Sequence, residues 1–147
     1  MSADIPGLVQ TSLNLGILRT ENGCVNFDYS VRSSVGSEKD MIIDKVCLLL
    51  SSQGADVTVS GEYPAWEYRK DSALREKMIR VYEKMFKTAP RVEAIHAGLE
   101  CGILASKLPG LDCVSIGPDM KDIHTPRERL SISSTERVWN YILEILK

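Results

Sequence analysis

The chain has two histidines, and each lies in a loop that could do chemistry. His96 opens the run His96-Ala97-Gly98-Leu99-Glu100-Cys101-Gly102, and His124 lies late in Gly117-Pro118-Asp119-Met120-Lys121-Asp122-Ile123-His124-Thr125-Pro126. A neutral imidazole is a good metal ligand, and Asp119 and Asp122 are close to His124 in sequence. Pattern alone nevertheless favours a plainer reading of His124, a surface histidine among solvated acids. For His96, a backbone hydrogen bond at a strand end weighs as much as a direct role. Gly98 opens a helix, so its N–H could approach an anion or a carbonyl oxygen. Glu100 could be a general base or a metal ligand, but a carboxylate is also favoured simply by standing near a helix N-terminus. Arg32 ends an alternating segment beside Ser33 and Ser34 and could clamp a carboxylate with two parallel bonds. Alone, it reads as an exposed sheet-edge arginine. Tyr63 and Trp66 read as packing residues before they read as a stacking platform.

These residues need elements to hold them. Residues 11–18 read as a strand, and Glu21-Asn22-Gly23 supplies a tight two-strand turn. Residues 24–32 alternate, with Val25, Phe27, Tyr29 and Val31 on one face. Ser37 and Asp40 resemble a capping box for a helix whose stripe is Ile42, Val46, Leu49 and Leu50, stopped at Gly54. Val57 and Val59 alternate with polar residues and suggest a third strand. Residues 61–70 break the pattern and mark a domain boundary.

A second helix starts at Asp71 and Ser72, presents Leu74, Met78, Val81, Tyr82 and Met85, and ends near Thr88 before Pro90. The order then runs strand 91–95, helix 99–108 and strand 112–116. A capping box at Ser133 and Glu136 starts a final helix with Val138, Ile142, Ile145 and Leu146 on one face. This alternation predicts an α/β fold with parallel strands layered by helices. Both histidine loops then open at the carboxyl edge of the sheet, where such folds bind ligands.

Composition narrows the function. With 147 residues, 44% hydrophobic and 26% charged, the chain is globular, and its net charge of −2 argues against a nucleic-acid binder. No apolar run approaches the ~20 residues of a membrane span. The first ten residues carry no basic region and no apolar core, so no secretory signal is expected. Cys24, Cys47, Cys101 and Cys113 form no C-x-x-C pair and read as reduced, mostly small buried residues of a cytoplasmic protein. There is no G-x-S-x-G, H-E-x-x-H, P-loop or G-x-G-x-x-G motif.

Several segments together resemble one family. Ala94-Ile95-His96-Ala97-Gly98-Leu99-Glu100-Cys101-Gly102, Ser115-Ile116-Gly117-Pro118 and His124-Thr125-Pro126-Arg127-Glu128 closely resemble the aminoacyl-histidine dipeptidases. These are also called Xaa-His or cytosol non-specific dipeptidases. They are di-zinc metallopeptidases related to carboxypeptidase G and aminoacylase. Thr11-Ser12-Leu13-Asn14-Leu15-Gly16 and Val31-Arg32-Ser33-Ser34-Val35 look like the same family. The resemblance implies a catalytic α/β domain with an inserted α+β lid. Residues 1–61 would be the later part of the lid, which mediates dimerisation. Residues 62–147 would be the C-terminal part of the catalytic domain.

The implied activity is hydrolysis of dipeptides such as Xaa-His by metal-activated water, with two zinc ions and an acidic general base. By resemblance, His124 is a zinc ligand, Gly98 contacts substrate through its backbone and Arg32 binds the substrate's terminal carboxylate. Glu100 acquires no transferable role. The other zinc ligands and the catalytic acids of the family match nothing here, so no catalytic residue is assigned. The chain is expected to be a C-terminal fragment, inactive alone, binding zinc weakly or not at all, and a homodimer. The alternatives are a non-catalytic dimerisation module and a small-ligand-binding module anchored by Gly98 and Arg32. Missing strands are expected to leave apolar surface exposed.

Overall fold

The computed structural model describes residues 1–2, 5–95 and 100–147. The described chain mixes helices and strands in the order β1 (Thr11–Glu21), β2 (Cys24–Ser33), α1 (Gly36–Ser52), α2 (Ala73–Phe86), α3 (Glu100–Lys107), β3 (Met120–Lys121), β4 (Arg129–Leu130) and α4 (Ile132–Ile145). It divides into two compact units. The first holds residues 1–68 and 93–111, the second residues 69–92 and 112–147. The first crossing, at Tyr68–Arg69, falls downstream of the boundary expected at 61/62, and residues 93–111 group with the first unit.

The first unit is built on the β1–β2 hairpin. Asn22 and Gly23 both take positive φ, 53° and 77°, the pairing a two-residue turn needs to match strand twist. The antiparallel ladder runs from Thr11 opposite Ser33 to Glu21 opposite Cys24, with a bulge between Leu15 and Ile17. Gly54, at φ 81°, follows α1 as expected. The expected capping box at its start does not form. Val35, not Ser37, is the N-cap, and its side chain has no acceptor to cap the helix; Glu38, in the first turn, is held by Gln10 and Thr11. No residue of α1 is buried, and Leu49, expected on its inner stripe, is 65% exposed. In α3, the buried Gly102 lies against the backbone of Pro64 and Ala65 and against Trp66, which bears out the packing role of that tryptophan.

The second unit packs α2 on α4. Met78, Tyr141 and Ile145 form its buried core, flanked by Leu74, Val81, Tyr82, Met85, Phe86 and Val114. Tyr82, Phe86 and Tyr141 form an aromatic cluster with centroid separations of 4.6–6.2 Å. Ser72 caps α2 as expected, its hydroxyl accepting from the Arg75 N–H at 3.0 Å. The helix stops earlier than Pro90 requires, because Lys87 turns left-handed at φ 57°. For α4 the cap is Ser131, not the expected Ser133, and Leu146 is 76% exposed rather than on the inner face.

The expected parallel strands are a correction. Among the described residues, both sheets are two-stranded and antiparallel. Segments 57–59, 91–95 and 112–116 carry no ladder. A parallel strand forms only beside neighbours brought in by crossover connections, and none of these segments is paired with one. The cysteines also depart from expectation. Cys24 is exposed, and Cys47, Cys101 and Cys113 are half-buried rather than buried.

Candidate functional site

In the first unit, the site residue is Arg32, near the end of β2 and opposite Ser12. Its side chain is exposed, while the two residues after it are buried, Ser33 at 2% and Ser34 at 6% exposure. A hydrogen-bond network explains that burial. Thr11 donates its hydroxyl proton to one oxygen of Glu38, so Ser33 must donate to Thr11, at 2.8 Å. The Val35 N–H donates to Ser33 Oγ at 3.0 Å, and Gln10 Nε2 donates to the second Glu38 oxygen at 2.7 Å. Every polar atom of the Ser33 and Glu38 side chains is thus engaged where β2 turns into α1. Arg32 projects from a backbone fixed on both sides. Sequence reading missed Thr11 and Glu38, because a contact between a strand start and a helix start has no periodic signature.

Lys39 and Tyr63 also meet in this unit. The Lys39 ammonium donates to the Tyr63 carbonyl at 2.7 Å and lies 5.7 Å from the ring centroid. Tyr63 is therefore a packing residue. Gly98 and His96 lie outside the described residues, as does the start of the loop they were read to form. Glu100 is the exposed first residue of α3.

In the second unit, the site residue is His124, exposed in the loop between β3 and β4. The loop is closed by its own polar groups. The N–H and hydroxyl of Thr125 both donate to the Asp122 carbonyl, at 3.2 and 2.7 Å, and the Glu128 N–H donates to the Thr125 carbonyl at 3.1 Å. His124 takes a left-handed φ of 64°, and its N–H donates to the Glu128 carboxylate at 3.0 Å. The nearby acids are engaged by arginines. Asp122 pairs with Arg129 at 2.7 Å and Asp119 with Arg137 at 3.2 Å. The loop fixes the backbone of His124 and leaves its ring to solvent.

Among the described residues, no group of three or more His, Cys, Asp or Glu could hold a metal ion. A zinc site takes at least three protein ligands. These residues alone therefore do not fit a zinc ion, and His124 is a single exposed imidazole.

At the start of α2 lies Asp112, a residue that the sequence pattern assigns only to a strand. Its carboxyl is held below the usual value by hydrogen bonds from the Ser72 hydroxyl at 2.7 Å and the Leu74 N–H at 2.9 Å. It is a structural carboxylate that completes the cap of α2.

No family model matches the chain. Over 141 residues, 96% of the chain, it is 34% identical to the cytosol non-specific dipeptidase of Escherichia coli strain K12. The chain is a homologue of that dipeptidase. The aligned stretch is 29% of the E. coli protein, so the chain spans under a third of its relative. Among solved structures, it superposes on aminoacylhistidine dipeptidase from Vibrio alginolyticus with a TM-score of 0.86 and 33% identity, covering 99% of this chain and 30% of that one. It also shares the fold of aminopeptidase PepT from Bacillus cereus, with a TM-score of 0.72 at 19% identity, over 92% of this chain and 39% of that one. Among the described residues, no helix is long and apolar enough to cross a membrane.

Proposed function

We propose that this chain forms the C-terminal part of a zinc-dependent, cytoplasmic dipeptidase that hydrolyses dipeptides such as Xaa-His. The observation that carries this reading is the 34% identity to a dipeptidase over nearly the whole chain. In this reading, residues 1–61 belong to a lid and residues 62–147 to the catalytic domain. Arg32, exposed on a backbone locked by Ser33 and Glu38, binds the terminal carboxylate of the dipeptide through its two-pronged guanidinium. The backbone of Gly98 contacts the substrate. His124 supplies one zinc ligand, and its partners come from the rest of the dipeptidase polypeptide. The chain alone is inactive in this reading, because the family's other zinc ligands and catalytic acids match none of its residues.

The test is a hybrid in which these 147 residues replace the aligned stretch of the E. coli dipeptidase. With zinc present, the hybrid is expected to hydrolyse dipeptides, while the isolated chain neither does so nor binds zinc stoichiometrically. In the hybrid, His124→Ala should abolish hydrolysis and remove one metal equivalent or weaken its binding by tenfold or more, about 1.4 kcal/mol. Arg32→Ala should raise KM at least tenfold with a smaller change in kcat. An inactive but folded and zinc-loaded hybrid, or hydrolysis by the isolated chain, would contradict the reading.

A homodimer joined through the first unit is the second part of the proposal. The exposure of Leu13, Leu15, Ile17 and Leu18 on β1, at 42–58%, supports it. Light scattering of the isolated chain should return twice the 16.4 kDa monomer mass. A monomer at high concentration would remove this part.

A further inference from the structure

The residues directly after Arg32 are tied down, and one carboxylate anchors them. The Ser34 N–H donates to the Gln10 carbonyl at 3.0 Å, one residue beyond the last ladder pair, Thr11 opposite Ser33. The Val35 N–H donates to Ser33 Oγ at 3.0 Å, and Ser33 passes its own proton to Thr11 at 2.8 Å. Thr11 donates in turn to Glu38, whose other oxygen accepts from Gln10 Nε2 at 2.7 Å. Gln10 is thus used twice, its carbonyl by the end of β2 and its side chain by the first turn of α1. Successive strand residues face opposite sides, so Ser33 turns inward to this network while Arg32 turns outward to solvent. A loose acid so near in sequence would also be an internal rival for the guanidinium. Glu38 is instead held by two uncharged donors.

We propose that Glu38 is a positioning residue for substrate binding. Through Thr11 and Ser33 it holds the end of β2, so that the Arg32 guanidinium meets the terminal carboxylate of a dipeptide in one arrangement. This role deepens the assignment of Arg32 and rests on it. A two-pronged contact needs both N–H groups aligned with both carboxylate oxygens. Ordering a long side chain at the moment of binding weakens affinity, and a fixed backbone removes part of that cost beforehand.

The plainer role of Glu38 is that of a first-turn acid at the positive end of α1. The two roles separate at Thr11. Thr11→Val keeps the acid and a β-branched strand residue, yet it breaks the link between Ser33 and Glu38. A first-turn acid would not register that change. A positioning residue would lose its hold on Arg32.

The experiment uses the hybrid dipeptidase and the 147-residue chain in parallel. In the hybrid, Glu38→Ala and Thr11→Val should each raise KM for a dipeptide about three- to tenfold, with kcat changed by less than about twofold. Thr11→Ser, which keeps the hydroxyl, should restore KM. In an Arg32→Ala background, Glu38→Ala should add nothing, since its effect runs through that guanidinium. In the 147-residue chain, where no hydrolysis is read, Glu38→Ala should speed hydrogen exchange at Ser34 and Val35 about tenfold. Exchange at Leu15 and Tyr29, within the ladder, should stay the same. An unchanged KM in Glu38→Ala while Arg32→Ala raises it would overturn the proposal. So would a rise that Thr11→Val does not share, equal losses with and without Arg32, or unchanged exchange at Ser34 and Val35. If Arg32→Ala itself leaves KM unchanged, the carboxylate assignment falls and this proposal with it, so the two failures are read from different variants.

Discussion

Asp112 and Ser72 act as a pair at the start of α2. The Ser72 hydroxyl accepts from Arg75 N and donates to Asp112, whose second oxygen accepts from Leu74 N. Two of the helix's four orphan N–H groups are satisfied in this way. Ser72→Ala should cost about 1 kcal/mol, readable as a lower urea midpoint with an unchanged slope. The Asp112 carboxyl is lowered from 3.8 in the fold, so the unfolded chain takes up its proton first as pH falls. Its stabilising effect is complete above 3.8 and is lost as pH drops through the lower native value. Glu144, lowered from 4.5 by Lys147 and Lys84, acts in the same direction. Asp112→Asn should flatten the acid side of a plot of Tm against pH below about pH 4, the ordinary carboxylate range. Tyr141 has the opposite sign. Burial, with help from Tyr82, raises its phenol above 10.0, so stability should fall as pH climbs past 10.0. Tyr141→Phe removes its 2.7 Å bond to the Met78 carbonyl and should cost about 1 kcal/mol in chemical unfolding.

At the scale of elements, the tightest fit is α3 on the 64–66 segment. A Cβ built on Gly102 would lie 2.9 Å from the Pro64 carbonyl oxygen, a backbone atom with little room to yield. Alanine gains about 1 kcal/mol in helix propensity there, against about 1–3 kcal/mol for overpacking. Gly102→Ala should therefore lower Tm, and thermal unfolding followed by circular dichroism checks the sign. The hairpin was legible in the sequence because its signals are local. Asn22-Gly23 demands positive φ, and the alternation of Val25, Phe27, Tyr29 and Val31 sets the strand period. The Ser72 cap was equally legible. The start of α1 was not, since Glu38 serves Thr11 and Gln10, far away in sequence, rather than its own helix. The strand-like stretches 57–59 and 112–116 were misread for a related reason. Alternation reports the wish to be in a sheet, while a ladder also needs a neighbour that no local pattern records. Residue type raises Arg32 and His124 as candidates, but pattern alone prefers a plain surface reading of each, and only the resemblance gives them a role. Each is exposed, and no burial or hydrogen bond of its side chain distinguishes it from an ordinary surface residue.

At the scale of the whole molecule, apolar surface remains uncovered. Among the described residues, no side chain is fully buried, and the buried apolar residues are Met78, Tyr141 and Ile145. Such a chain should bind a hydrophobic dye in its native buffer. The dye signal should survive Ser72→Ala, which weakens only a helix start. Dye fluorescence no higher than that of a well-packed domain of this size would contradict the exposed apolar surface.

Two sulfur atoms, those of Cys24 and Cys47, lie along an open groove between β2 and residues 54–63. Neither is in a disulfide, and Cys24 is exposed. Alkylation follows a thiol's access to solvent as well as its charge. The native sequence therefore contains its own gauge of that cleft, in which the rate of labelling by iodoacetamide reports how open it is, with no engineered reporter required.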